Sequence, residues 1–246
     1  MNLKAIVLVL GAAGVSFGLV APVVGQSSRQ PVSSEQRSES LAGERPRTAS
    51  VLRRAFPAEF AQVNASYTAV YGSGTRAADN LLATSRIMNK LREAYAQQVR
   101  NAPDDNLKQV VTALRDLHVA VQSSQPAAIC GELALNGTAD LFARERAGSY
   151  LEALDILSAV YMQAAASGRT ASSSTPTAKP EDWSELAQFA IRQGSPQANL
   201  EAVMAADPSN PNTCVGMIDL LGAVIDMPGE PGHRLRAELA VSAAVY

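Results

Sequence analysis

The sequence predicts an all-α fold, on three observations. From residue 51 onward, apolar residues recur at i, i+3, i+4 and i+7, the spacing of one helix face. No run alternates with period two over the length of a strand. Clusters of β-branched residues are rare outside Val110-Val111. The expected architecture is a helical bundle of about seven to eight helices, after an N-terminal apolar segment and a flexible linker.

The N-terminal segment sets the expected compartment. After Met1 and Lys4, residues 5–25 read AIVLVLGAAGVSFGLVAPVVG, with no charge in 21 positions. About 20 such residues cross a bilayer, and a basic start followed by an apolar run is also the pattern of a secretory signal. Pro22 blocks cleavage after Ala21, whereas Val23-Val24-Gly25 gives a passable site before Gln26. Signal peptide and retained anchor both remain open, and both export the rest of the chain. No cysteine lies nearby, which excludes a lipoprotein anchor. Residues 26–50 are Ser-rich and carry charges of both signs, with Val32 and Leu41 as their only large aliphatic side chains. Such a stretch buries too little apolar surface to offset its chain entropy, so a disordered linker is expected.

The all-α domain is expected over residues 51–246. Pro57 opens a first helix to about Tyr71, closed by Gly72-Ser73-Gly74. Thr75 caps a second helix to about Arg100, with Leu81, Met88, Leu91 and Tyr95 on one face. Pro103-Asp104-Asp105 starts a third, whose stripe is Leu107, Val110, Val111, Leu114, Leu117 and Val121. A short helix runs from Pro126 to Asn136-Gly137, and the longest is expected over residues 138–166, with Tyr150, Leu151, Leu154, Leu157 and Tyr161 in its seam. The small polar residues 168–180 (GRTASSSTPTAKP) read as a flexible loop. Shorter helices follow at about 181–193, 196–206, 212–227 and 231–244. Gly148-Ser149-Tyr150 and Asp207-Pro208 echo fragments of a helical repeat but do not recur at a 34-residue period, so no repeat architecture is expected.

Composition narrows the chemistry. The 246 residues are 47% hydrophobic and only 18% charged, with 21 Lys plus Arg against 23 Asp plus Glu. This balance, with a pI near 5.8, lacks the basic excess of nucleic-acid binders. Cys130 and Cys214 are the only cysteines, too few for a four-cysteine zinc site. In an oxidising compartment they are expected to join as a disulfide, and no C-x-x-C redox pair exists.

His118 falls on or beside the stripe of the third helix and reads as a partly buried, satisfied residue. His233 lies in a Pro/Gly turn with Asp226 and Glu230, whose spacing does not demand a metal ion, so no metal site and no cofactor are expected. Gly72-Ser73-Gly74-Thr75-Arg76 lacks the lysine and preceding strand of a P-loop and reads as a turn plus cap. Asn64-Ala65-Ser66 and Asn136-Gly137-Thr138 match the glycosylation pattern, but in an Ala-rich chain of bacterial character they are expected to be a cap and a turn. Trp183 and Phe189 are expected packing anchors. No G-x-S-x-G, H-E-x-x-H or EF-hand pattern is present.

Function is therefore expected to be non-catalytic. The leading reading is an exported helical binding or scaffold module of the bacterial envelope, periplasmic or secreted. A retained segment 5–25 would anchor it in the inner membrane, and its partner would be an envelope protein rather than nucleic acid. The alternative is an envelope enzyme such as a cell-wall glycan hydrolase, using carboxylates such as Glu132, Glu145 or Glu152. A third possibility is a carrier for a small apolar ligand, whose mark would be an interior cavity.

Overall fold

The computed structural model describes residues 40–72, 77–138, 150–171 and 175–246. The apolar segment 5–25, residues 26–39, the Thr75 cap and Glu145 lie outside the described residues. The described chain is all-α, with twelve α-helices and a final 3-10 turn, and no described residue forms a strand. The helices are α1 (Leu41–Glu44), α2 (Pro46–Ala55), α3 (Pro57–Gly72), α4 (Ala77–Ala94), α5 (Ala96–Arg100), α6 (Asp104–Ser124), α7 (Ala127–Asn136), α8 (Leu151–Gly168), α9 (Pro180–Arg192), α10 (Gln197–Ala205), α11 (Pro211–Asp226) and α12 (Gly229–Ser242). None of them is long and apolar enough to cross a membrane.

The amphipathic stripe of α6 makes it the hub: Leu107, Val110, Val111, Leu114, Leu117 and Val121 are all buried. One flank of α6 meets α8, and α2 and α5 pack on α8. The other flank meets α11 and α12, with α7, α9 and α10 closing around α11.

Twelve helices exceed the expected seven to eight, and three of them arise for two reasons. The helix expected over 75–100 breaks at Tyr95 (φ −109°, ψ 9°), whose ring packs edge-on against Phe56 with centroids 4.7 Å apart. The second reason corrects the linker boundary, because residues 40–50 are folded rather than linker. Ser40 Oγ accepts from Gly43 N–H to start α1, and Pro46 occupies the first turn of α2. Leu41 of α1, Arg45 between the two helices, and Thr48, Ala49 and Leu52 of α2 are all buried. Asp155 holds this segment, accepting from Arg47 N–H (3.0 Å), Thr48 N–H (2.9 Å) and Thr48 Oγ1 (2.8 Å). A carboxylate from α8 thus satisfies free N–H groups at the start of α2.

The loop expected at 168–180 is shorter at both ends. Gly168 belongs to α8, Pro180 begins α9, and Thr175 between them is buried. Deep in the N-terminal half, the Arg92 guanidinium donates to Ala244 O (3.1 Å), Ser158 Oγ (2.6 Å) and Asn89 Oδ1 (2.5 Å), tying α4 to α8 and to the last turn of the chain.

Candidate functional site

The site of interest is an apolar groove built by α9 to α12. Its walls follow from local rules. Pro180 stands in the first turn of α9, where the Asp182 carboxylate accepts from Lys179 N–H at 2.8 Å. Arg234 of α12 forks onto that same carboxylate at 2.8 and 2.7 Å. The two contacts fix the rotation of α9, so Trp183 and Leu186 face inward and are buried. Bonded to Arg234 and to a main-chain N–H, Asp182 is held below the usual carboxylate range.

The opposite wall is the α10–α11 pair. Helix α10 stops where Ala206 turns left-handed (φ 51°), and Asn210 Oδ1 accepts from Asn212 N–H as α11 begins. The helices touch at Gly216, where a Cβ would fall 2.1 Å from Asn199 O, so only glycine permits this approach. Asn199 Nδ2 also donates to Asp219 Oδ2 at 3.0 Å. This approach sets Leu200, Val203 and Met204 against Met217, Leu220 and Leu221.

Ala134, Leu135, Leu114, Leu239, Ser242 and Tyr246 complete the groove, which encloses about 870 Å³ including its open mouth. Val203, Met204, Met217 and Leu220 are half-exposed there, whereas Leu221, Leu186 and Trp183 are buried. Among the described residues no charged side chain lines it. Its two hydroxyls donate to main-chain oxygens, Tyr246 to Ala134 O (3.4 Å) and Ser242 to Leu239 O (2.8 Å). The groove therefore presents hydrocarbon, two thioethers and one indole to whatever enters.

The residues singled out from sequence are dispersed around this groove. Cys130 on α7 and Cys214 on α11 are paired as a disulfide, with Cα atoms 5.4 Å apart. His118 is fully buried, and its Nδ1 lies 2.8 Å from Leu114 O, its ring 5.6 Å from that of Tyr246. Burial lowers its pKa to about 4, so it is neutral at pH 7, with Nδ1–H donating to Leu114 O.

His233 does not meet Asp226 or Glu230, which are exposed. Instead its Nδ1 lies 2.8 Å from Asp104 Oδ1 and its Nε2 3.3 Å from Thr175 Oγ1. Burial pushes the Asp104 carboxyl up, but hydrogen bonds from Arg236 and His233 outweigh it and hold the group below its ordinary value. The Thr175–His233–Asp104 order resembles a nucleophile relay in outline only. Arg236 engages both Asp104 oxygens at 2.7 and 3.0 Å, and Pro176 has no N–H to offer an oxyanion. The chain of bonds straps the loop before α9 onto α6 and α12. Among the described residues no three His, Cys, Asp or Glu side chains group to hold a metal.

Glu152 is exposed and paired with Arg47 at 3.0 Å, and Glu132 is half-buried on α7; neither lines the groove. Asn64 lies within α3 rather than at a cap, because the helix runs unbroken from Pro57 to Gly72. Asn136-Gly137-Thr138 is a turn, with Gly137 at φ 72°. Trp183 is an interior anchor, whereas Phe189 is half-buried with Arg192 5.8 Å above its ring. The sequence reading missed the groove itself. Its only signal was two consecutive helices with apolar residues at helical spacing and a methionine on each.

Comparison with protein-family models, with curated proteins and with solved structures finds no match.

Proposed function

We propose that this chain is an exported helical binding module that takes an apolar ligand in the groove between α9 and α12. One observation carries the reading: the half-exposed mouth of Met204, Met217, Val203 and Leu220 leads to a buried floor of Trp183, Leu186 and Leu221. Uncharged residues 5–25 after Lys4 support export, as do two buried cysteines within disulfide reach.

The hydrolase reading has less support, since no carboxylate among the described residues lines the groove and Glu152 stands in solvent. The test uses Trp183, the chain's only tryptophan. Titration with the apolar probe N-phenyl-1-naphthylamine should shift Trp183 emission and enhance probe fluorescence, saturably and with one site. A linear, unsaturable response would refute groove binding. Fractionation of the native host with mass spectrometry should find the chain outside the cytoplasm, starting at Gln26 or intact from Met1.

A further inference from the structure

We infer that the groove holds the aliphatic chain of a single amphiphile whose polar end is cationic and stays at the mouth. This rests on the groove-binding reading above.

The hydrocarbon part follows from the lining. Among the described residues, both hydroxyls in the groove are engaged with main-chain oxygens and no charged side chain reaches it, so a buried polar head would lose its water without replacement. Met204 and Met217 at the mouth are unbranched and polarisable, suited to a chain with many rotamers. A partner helix would need a row of anchor pockets along an open trough. Here the walls come from α9, α10, α11 and α12, with Tyr246 among the lining residues.

The sign of the head follows from the surrounding field. Residues 180–226, which contain three of the four walls, carry seven acidic residues (Glu181, Asp182, Glu185, Glu201, Asp207, Asp219, Asp226) against Arg192 alone, a net charge of −6. Among the described residues, only Asp182 of these is paired to a cation, Arg234. The partners of Glu201 and Asp219 are the neutral amides of Gln197 and Asn199. The fourth wall does not compensate. On α12, Arg234 is held by Asp182 and the buried Arg236 by Asp104. Glu185 and Glu201 are exposed and flank the lining residues Leu186 and Leu200. Charges so placed act over about 8 Å in physiological salt, enough to bias a head group at the mouth.

The test titrates the full chain, followed by Trp183 emission, with octyl, decyl and dodecyl chains on three heads: trimethylammonium, glucoside and carboxylate. Each is kept below its micelle concentration, and far-UV circular dichroism checks that the fold persists. Affinity should rise about fourfold per added methylene on every head. At equal chain length it should fall in the order cationic, neutral, anionic, with roughly a tenfold span at low salt that shrinks at high salt. The double variant Glu185→Gln/Glu201→Gln, both solvent-exposed positions, should narrow that span.

Equal affinity for the three heads, or preference for carboxylate, overturns the inference and leaves groove binding intact. A flat chain-length series, or binding of a basic amphipathic peptide without the alkyl series, also overturns it. If neither these amphiphiles nor N-phenyl-1-naphthylamine perturbs Trp183, groove binding itself falls.

Discussion

Cys130 on α7 and Cys214 on α11 lie 84 residues apart in sequence, and their Cα atoms are 5.4 Å apart. The crosslink joins the helix after the hub to the helix that supplies one wall of the groove. Closing so long a loop restricts the unfolded chain, which stabilises the fold by about 4 kcal/mol. Cys130→Ser/Cys214→Ser should lower stability by about that amount in urea unfolding. The native protein should show no alkylatable thiol before reduction and faster non-reducing gel mobility. Two reactive thiols in the native, unreduced protein would contradict the pairing.

His118 gives the fold an acid sensitivity of known sign. Unfolded, the imidazole titrates near its ordinary 6.5; in the fold, burial lowers it to about 4. Between those values the unfolded chain binds the extra proton and the native state does not, so stability falls as pH drops from about 6.5 to about 4 and levels off below. The full loss is about 3 kcal/mol. Asp104 and Asp182, held below the ordinary carboxylate value of 3.8, add their own loss only at lower pH. Urea midpoints measured from pH 7 to pH 4 should show this slope, and His118→Leu should flatten it. An unchanged slope in that variant would assign the acid sensitivity to other groups.

Two glycines of α11 should respond oppositely to alanine. At Gly216 an added methyl meets Asn199 O at 2.1 Å, a backbone atom that cannot step aside without moving α10. Gly216→Ala should cost about 1–3 kcal/mol and alter Trp183 emission by opening the groove. At Gly222 an added methyl meets nothing within 4 Å. There the substitution removes only chain entropy and should stabilise by about 0.5–1 kcal/mol. Thermal melts of the two variants, with emission spectra, decide both.

What the sequence disclosed depended on how apolar each inward face is. Helix α6 was legible because six of its eight buried residues are Leu or Val at helical spacing. The ends of α7 and α11 were legible from Pro126, Gly137 and Pro211. Helices α1 and α2 were hidden because Arg45 and Thr48 occupy inward positions, so the helical period of Leu41, Ala49 and Leu52 reads as a polar stretch. Their partners, Glu44 and Asp155, reveal themselves only when the chain is folded. The cysteine pair was readable from counting, since two cysteines allow a single pairing. The groove was not, since a Leu or Met that lines a mouth has the same helical spacing as one that fills a core. The strap through Thr175, His233 and Asp104 joins three distant segments, which no local pattern connects.

The bond between Thr48 and Asp155 places residues 40–50 within the folded unit. A fragment of residues 51–246 would cut α2 in half and remove Leu41, Thr48 and Ala49, all fully buried. It would also leave the Asp155 carboxylate, 3% exposed, without the three donors it meets at residues 47 and 48. Burying a charge stripped of its partners costs several kcal/mol, on top of the cavity left by Leu41. The fragment 40–246 keeps every one of these contacts. It should melt cooperatively with the helicity of the described fold, whereas 51–246 should melt well below it or aggregate. Asp155→Ala within the longer fragment should reproduce part of that loss, by about 2–4 kcal/mol in urea unfolding. Equal midpoints for the two fragments would show that α1 and the first half of α2 contribute nothing to the fold.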